Sequence, residues 1–565
     1  MQNMNLKVLL AQQNYHIGNF GYNLQKIKRA IENGKEFGAD IVVFSELAVC
    51  GYPPRDFLYA QDFITQCETS IQEIEKCTEC IAVLVGAPRR NLDPIGKRLY
   101  NSVYFISDGK TRQIIDKTCL PTYDVFHEDR HFESANEWNI VEYKGNRLAV
   151  TICEDIWNMG THPLYTTCPM DQLMQQKPNM MINLSASPFD YTHHHDRLAI
   201  LGANYRKYHL PILYCNTVGS QTEIVFDGNS LVMDGFGNLV CRMKRFEEDM
   251  QLFEWDGPKV KSHSIELASS EIPSQESDPE KLEADLHTSE IYAALVLGIR
   301  DYFEKMGFTK AILGSSGGID SAVTLAIACE ALGSENVEAV LLPSPYSSAH
   351  SVEDALVLSK NLGNPHEVIK IESVYQNMLD TLKPRFGDLP FSLAEENMQS
   401  RIRGNILMSI ANKFGFILLN TSNKSELATG YGTLYGDMAG GLAVLGDCYK
   451  QQVYSLALYI NRNKEIIPQS IIEKAPSAEL RPNQKDSDSL PDYEVLDGIL
   501  YLYIEKIKGP SEIKSMGFDA GLVDRVLRLV SNNEYKRNQF CPIIRVSPKA
   551  FGVGRRMPIV ARYLS

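Results

Sequence analysis

Residues 148–160 read LAVTICEDIWNMG. Leu148 to Ile152 is a short apolar run of the kind that forms a buried strand. It ends on Cys153, followed at once by Glu154 and Asp155, with Trp157 two residues on. A strand that delivers a thiol and two carboxylates where it meets a loop matches the way α/β proteins gather reactive groups at strand ends. Negative charge beside a thiol raises its pKa and blunts it as a nucleophile. A reactive Cys153 therefore needs a cation and a base from elsewhere in the chain.

Outward from this stretch the same rhythm repeats. KVLLAQ, DIVVFSEL, IAVLVGAP, SVYFIS, MMINLSA, PILYCNT and SLVMD are further short apolar runs. Amphipathic segments such as NLQKIKRAIENGKEFG separate several of them. Apolar strands alternating with helices predict an α/β layered domain over the first 260 residues or so. The rhythm fails in PKVKSHSIELASSEIPSQESDPEKLEADL, residues 258–286, which has linker composition; the linker is set at 261–286. A helix is expected to start at a Thr288 or Ser289 cap and to stop at Gly307. The strand KAILG follows, and strand–helix alternation resumes to about residue 460, making 287–565 a second α/β domain.

The chain has 565 residues, 44% hydrophobic and 22% charged, which fits two or three globular domains. No apolar run reaches the roughly 20 residues of a membrane helix. The start, MQNMNLKVLLAQQNYHIG, lacks the basic segment and cleavage site of a secretory signal. Twelve scattered cysteines then read as reduced thiols and the location as cytoplasmic. Cys77 and Cys80 form one C-x-x-C without a second pair and read as structural. A net charge of −14 argues against nucleic acid as a partner.

A thiol that attacks a carbonyl carbon needs a base for its proton and a cation or donor for the oxyanion. Glu46 closes ADIVVFSEL and Lys117 follows QIID, so both fall, like Cys153, at the ends of expected strands. The three segments FSELAVCGYPPRDFL, DKTCLPTYDVFHEDRHF and ICEDIW closely resemble the catalytic segments of the nitrilase-type carbon–nitrogen hydrolase superfamily. That resemblance, over about residues 5–250, implies an αββα sandwich. It implies Glu46 as base, Lys117 as stabiliser, Cys153 as nucleophile and Glu128 as an additional glutamate near the site. Tyr123 and Ser187 match glutamine-binding positions of the glutamine-cleaving members. Where those members carry Lys or Arg, SPFDYTHHHDR has His193, with Arg197 as the other basic residue nearby. Three adjacent histidines on an irregular loop rarely converge on one ion, so the run reads as solvated loop rather than a metal site.

KAILGSSGGIDSAVTLAIACEAL, residues 310–332, reads as a strand, a Gly/Ser turn and an apolar helix. Backbone N–H groups at such a turn, with the helix N-terminus, form an anion site. The Walker lysine is absent. Asp320 would repel phosphate unless it held Mg²⁺. SGGIDS resembles the pyrophosphatase-type (PP-) loop of adenylating enzymes with a Rossmann-like adenine nucleotide alpha hydrolase fold. LNTSNKSELATGYGTLYGDMAGG, ENMQSRIRGNILMSIANKFG, PSAELRPNQ and EYKRNQF resemble the NAD synthetases, and the order of the two halves matches their glutamine-dependent form.

That resemblance, over about residues 287–565, implies ATP as co-substrate, held by Gly314, Ser315, Ser316, Gly317, Gly318, Ile319, Asp320, Ser321 and Thr421. Asp320 and Glu426 are implied as Mg²⁺ ligands. Asn397, Arg401, Glu426, Tyr431 and Lys536 are implied as contacts to deamido-NAD⁺, with Asp437 and Lys450 as weaker candidates. AELRPNQKDSDSLPDYE resembles a lid. The implied function is glutamine hydrolysis coupled to amidation of deamido-NAD⁺, in a homo-oligomer acting only on small molecules, with a protected path for ammonia. Two other readings stay open. In a different adenylating amidotransferase one expects a Gly-Cys-Gly elbow or an N-terminal cysteine, neither of which is here. In a non-catalytic nucleotide sensor the site residues would have no need to be complete.

Overall fold

A computed structural model describes residues 5–160, 162–257, 259–263, 279–482, 484, 486, 490–561 and 563. The chain divides into two compact units, Met1–Glu276 and Ser277–Ser565. None of the described helices is long and apolar enough to cross a membrane.

The first unit carries strands β1 (Leu6–Gln12), β2 (Ile41–Val43), β3 (Ala82–Arg90), β4 (Leu99–Ser107), β5 (Lys110–Asp116), β6 (Val141–Tyr143), β7 (Asn146–Ile152), β8 (Met180–Ser185), β9 (Ile212–Asn216), β10 (Val218–Gln221), β11 (Ile224–Asp227), β12 (Leu231–Met233), β13 (Leu239–Arg242), β14 (Asp249–Asp256) and β15 (Lys259–His263). They form a seven-stranded sheet, β15-β14-β1-β2-β3-β4-β5, and a six-stranded sheet, β13-β12-β9-β8-β7-β6, with β10 and β11 as a separate pair. Alternation along each strand explains the layering. Leu6, Val8 and Leu10 of β1 share one core with Leu148, Val150 and Ile152 of β7, which joins the two sheets face to face. The intervening Leu9, with Val42, faces the helix Phe20–Glu36 so closely that a Cβ on Gly34 would sit 2.7 Å from Val42. On the far side Ala149, Met181 and Ile212 pack with Leu201 and Tyr208 of the helix His193–Tyr208. Both faces of the central strands are thus buried, which is why they read as unbroken apolar runs. The architecture is the expected αββα sandwich.

The second unit carries β16 (Ala311–Gly314), β17 (Val337–Leu341), β18 (His366–Val368), β19 (Ile417–Asn420) and β20 (Leu442–Ala443), in the order β18-β17-β16-β19-β20. All the neighbouring pairs are parallel. The chain leaves β16 toward β17 on one side, and β19 lies on the other, so the end of β16 is a topological switch point. The Gly/Ser turn falls there, before the buried helix Ile319–Leu332.

Two expectations about the connection are corrected. Residues 259–263 form the edge strand β15 against β14. The helix begins at Pro279 and runs through Thr288 and Ser289 to Met306, so neither residue is its cap. Proline at the first helical turn loses no hydrogen bond, and Glu280–Leu286 are mostly helix formers. The rest of the expected linker, 264–278, lies outside the described residues.

Candidate functional site

In the first unit β1, β2 and β3 run parallel, as do β7, β8 and β9. Their C-terminal ends carry the chemistry. Glu46 follows β2, Cys153 follows β7 and Ser187 follows β8, while Lys117 is the first residue after β5. Lys117 is fully buried. Its Nζ donates to Glu46 Oε1 at 2.7 Å, and to Glu128 Oε1 and Oε2 at 2.7 and 2.8 Å. Glu46 Oε2 accepts the Ala186 backbone N–H at 3.0 Å. Glu128 Oε1 also accepts from the Tyr52 hydroxyl at 2.8 Å. Two buried carboxylates on one ammonium leave an excess negative charge. Burial first, and the Glu46 charge after it, raise the Glu128 carboxyl against the pull of Lys117. Burial works against the Lys117 charge, yet Glu128 and Glu46 hold its pKa well above the ordinary value.

Cys153 is buried and adopts a left-handed backbone, φ 43°, at the start of a 3₁₀ turn, Cys153–Ile156. Burial, then Glu46, pushes its thiol well above the ordinary value, with Lys117 pulling the other way. The group therefore rests as S–H and needs a base at the moment of attack. The turn also answers why two acids adjoin the thiol. Asp155 turns back to accept the N–H groups of Ile152, Thr118 and Cys119 at 3.0, 3.0 and 2.9 Å, stitching the Cys153 segment to the Lys117 segment. Glu154 accepts the hydroxyls of Tyr123, at 2.9 Å, and Tyr165, at 3.2 Å. An extended segment would have turned Glu154 away but left Asp155 on the side of the thiol; the tight turn instead carries Asp155 back onto those backbone N–H groups. Burial raises the Glu154 carboxyl to about 7 and Asp155 to about 6.

The expected glutamine-binding residues divide into two groups. Ser187 Oγ and His193 Nε2 lie 2.8 Å apart, and the His193 ring stacks on Trp157 at 5.0 Å. Tyr123 is tied instead to Glu154. The histidine run opens a helix rather than lying on an irregular loop, because Asp190 and Thr192 form a turn that launches it. Arg197 is buried and committed to Asp227 at 3.0 Å and 3.3 Å.

In the second unit Gly314 ends β16 and Thr421 follows β19, side by side across the switch point. They line a cavity with Ser315, Ser316, Gly318, Ile319, Asp320, Ser321, Glu426 and Tyr431. Gly317 has φ +74°, and a Cβ there would lie 2.1 Å from the Ser351 carbonyl oxygen, so the turn is open to glycine alone. Ser321 Oγ caps the turn by donating to the Gly318 carbonyl at 2.9 Å and lies 3.1 Å from Ser316 Oγ. Asp320 accepts from Lys450 Nζ at 2.5 Å and from Asn423 Nδ2 at 2.9 Å. Lys450 reaches Glu426 at 3.9 Å. Burial, then repulsion from Asp320, raises the Glu426 carboxyl well above its ordinary value.

Asn397, Arg401 and Lys536 do not line this cavity; they surround the adjoining loop 430–437. Lys536 donates to the Gly430 and Gly432 carbonyls at 2.8 Å, Arg401 to the Leu434 carbonyl at 3.2 Å, and Asn397 accepts from Thr433 at 2.8 Å. Asp437 lines the cavity and accepts the Thr433 N–H. Sequence reasoning missed Arg403, Lys474, Glu479 and Asp486, which also line it. Arg403 was legible as a second arginine on the helix that carries Arg401; the acids lie on the expected lid. Within that lid residues 483, 485 and 487–489 lie outside the described residues.

Comparison with known proteins gives a consistent picture. A carbon-nitrogen hydrolase family model matches residues 7–262 and an NAD synthase family model matches residues 291–540. A glutamine-dependent NAD(+) synthetase of Synechocystis is 45% identical over 98% of this chain and 99% of its own. One from Thermotoga maritima is 40% identical, covering 99% of each chain. The solved structure of the Acinetobacter baumannii enzyme of that name, in complex with ADP, is 38% identical over 99% of each chain, with a TM-score of 0.76.

Proposed function

The chain belongs to the glutamine-dependent NAD(+) synthetase family, and from that premise we propose that it makes NAD⁺ from deamido-NAD⁺, ATP and glutamine. The first unit, Met1–Glu276, is the glutaminase domain and the second, Ser277–Ser565, the adenylating domain. The observation that carries the reading is that one chain holds two separate sites. One is a buried thiol beside a Lys117–Glu46–Glu128 cluster, the other a glycine-dependent turn with Asp320 and Glu426 at a parallel-sheet switch point.

In the first site Glu46 takes the Cys153 proton as sulfur attacks the glutamine amide carbon. Lys117 stabilises the tetrahedral oxyanion, and ammonia departs with the returned proton. Water, deprotonated by Glu46, then cleaves the thioester to glutamate and restores the thiol. Ser187 and His193 hold the glutamine α-carboxylate, because their side chains meet and the Arg197 guanidinium is engaged by Asp227. Tyr123, linked to Glu154, borders the substrate.

In the second site the Gly314–Ser321 turn, with Thr421, receives the ATP phosphates. A carboxylate resists ammonia because oxide leaves poorly. Transfer of AMP to deamido-NAD⁺ releases pyrophosphate and gives an acyl adenylate. Ammonia displaces AMP from it, leaving the carboxamide of NAD⁺. Tyr431, Asn397, Arg401 and Lys536 act on the deamido-NAD⁺ side, around the 430–437 loop. Asp320 and Glu426 lie 2.5 and 3.9 Å from the one Lys450 ammonium, so their carboxylates meet in the cavity and suit a hard divalent cation. Among the described residues no group of three or more His, Cys, Asp or Glu is assembled for a metal. Asp320 and Glu426 would hold Mg²⁺, and the ion when bound would supply charge neutralisation for the phosphates. We place the enzyme in the cytoplasm as a homo-oligomer.

The test is NAD⁺ formation by the full chain from deamido-NAD⁺ and ATP, with glutamine or with ammonium. The reading predicts product from both, with AMP released; no AMP-coupled amidation from either source would overturn it.

A further inference from the structure

Strand β4 places one uncharged polar side chain among the ionisable groups of the first site. Asn101 is fully buried. Its Nδ2 donates to Glu46 Oε1 at 2.7 Å and to Glu128 Oε2 at 3.2 Å. Its backbone carbonyl accepts the Lys117 N–H at 2.8 Å. One residue thus touches the proposed base, the additional glutamate and the lysine. Ionised carboxylates only accept, so the amide must present its NH₂ to them. Its Oδ1 is then left buried with no hydrogen-bond partner among the described residues. An orphaned buried acceptor is destabilising, and leucine, of similar size, would avoid it. Packing therefore does not explain an asparagine here; its two N–H donors do.

Those donors act on a specific difficulty. Two buried carboxylates that share one ammonium tend to share a proton as well. A proton held between Glu46 and Glu128 would disable Glu46 as acceptor for the thiol. We propose that Asn101 is a positioning residue for glutamine cleavage: its amide bridges Glu46 and Glu128, keeps a proton from being shared between them, and aims Glu46 at Cys153. The bridge adds donors without adding charge. A second lysine in its place would deepen the pairing of Glu46 and weaken it as a base. The inference rests on the assignment of Glu46 and Cys153 under the proposed function.

The experiment uses the full chain and begins with wild type and Cys153→Ala, assayed for glutamate release. Asn101→Leu and Asn101→Ser follow, each as a pH profile of kcat and KM, with circular dichroism and thermal melting of the full chain as a measure of folding. The groups facing Glu46 are Lys117, Glu128, Tyr52 and Cys153. None of these is altered. Loss of both donors favours a protonated carboxyl, so the acid limb of hydrolysis in Asn101→Leu moves up by about one pH unit. At neutral pH kcat falls roughly 10- to 100-fold, the loss of one or two hydrogen bonds to charge. KM for glutamine stays near wild type, and Asn101→Ser, which keeps one donor, lies between. Hydrolysis by Cys153→Ala would overturn the underlying assignment. With Cys153→Ala inactive, a wild-type kcat and acid limb in Asn101→Leu would overturn the proposal alone. Equal losses in both variants with an unmoved acid limb, or losses that track a lowered melting temperature, would assign Asn101 to packing and overturn it too.

Discussion

Replacing Gly317 by alanine tests the phosphate turn through geometry alone. At φ +74° an alanine meets left-handed strain of ~1–2 kcal/mol. Its Cβ would also stand 2.1 Å from the Ser351 carbonyl oxygen and 2.8 Å from the carbonyl carbon, both backbone atoms with no rotamer to escape into. Contact is restored only if the turn or the start of the Ala349–Leu362 helix moves by about 1 Å, an overpacking cost of about 1–3 kcal/mol. The sum, on the order of 2–5 kcal/mol, is less than the roughly 5–15 kcal/mol that stabilises a domain. The variant should fold with a melting temperature lower by some degrees. A turn displaced by about 1 Å misplaces the phosphates and should lower kcat/KM for ATP about 100-fold. The assay is AMP release with saturating deamido-NAD⁺, once with glutamine and once with ammonium. Both rates should fall equally, while glutamine hydrolysis, which belongs to the other site, remains. A Gly317→Ala enzyme with wild-type kcat/KM for ATP would refute the assignment of this turn to the phosphates.

Other outcomes follow from the same geometry. Asp320→Ala or Glu426→Ala should abolish synthesis from either nitrogen source and leave basal glutamine hydrolysis; normal synthesis at millimolar Mg²⁺ would refute the metal assignment. His193→Ala should raise KM for glutamine on the order of tenfold without changing ammonium use, since His193, which meets Ser187, is the proposed partner of the α-carboxylate. An unchanged KM would give that role to another residue. Arg197→Met should destabilise the first unit by roughly 3 kcal/mol, because it leaves buried Asp227 to the 3.5 Å contact with Arg245. Burial opposes the Asp227 charge, but Arg197 and then Arg245 hold its carboxyl below the ordinary value. Its contribution is therefore present above about pH 4 and lost as pH falls through the folded value. Acid melts of wild type should show this loss, and those of Arg197→Met should show less of it.

Much of the fold was legible because buried strands leave apolar runs and their ends carry the chemistry. Glu46, Lys117 and Cys153 could be placed at strand ends without coordinates, and the structure brings the glutamate and lysine to 2.7 Å. What escaped was direction and local turn. The acids after Cys153 sit on a 3₁₀ turn, which no periodicity announces over four residues. Asn101 belongs to no motif, and its one signal is a polar residue at the head of the run SVYFIS. The helix Pro279–Met306 was cut short because polar helix formers resemble linker in composition. The His193 start was missed for a related reason: histidines and threonine are weak helix formers, and the turn that launches them is built by Asp190.

One chain holds two chemistries that should be separable, and Cys153→Ala divides them. NAD⁺ is measured from deamido-NAD⁺ and ATP at mildly alkaline pH, where more ammonia is unprotonated, with glutamine or with high ammonium. Losing one buried sulfur costs on the order of 1 kcal/mol, too little to unfold the chain. The account predicts no NAD⁺ from glutamine and undiminished NAD⁺ and AMP from ammonium. Glutamine-driven synthesis by the variant would contradict the thiol as nucleophile, and loss of ammonium-driven synthesis in a folded variant would contradict the independence of the second site.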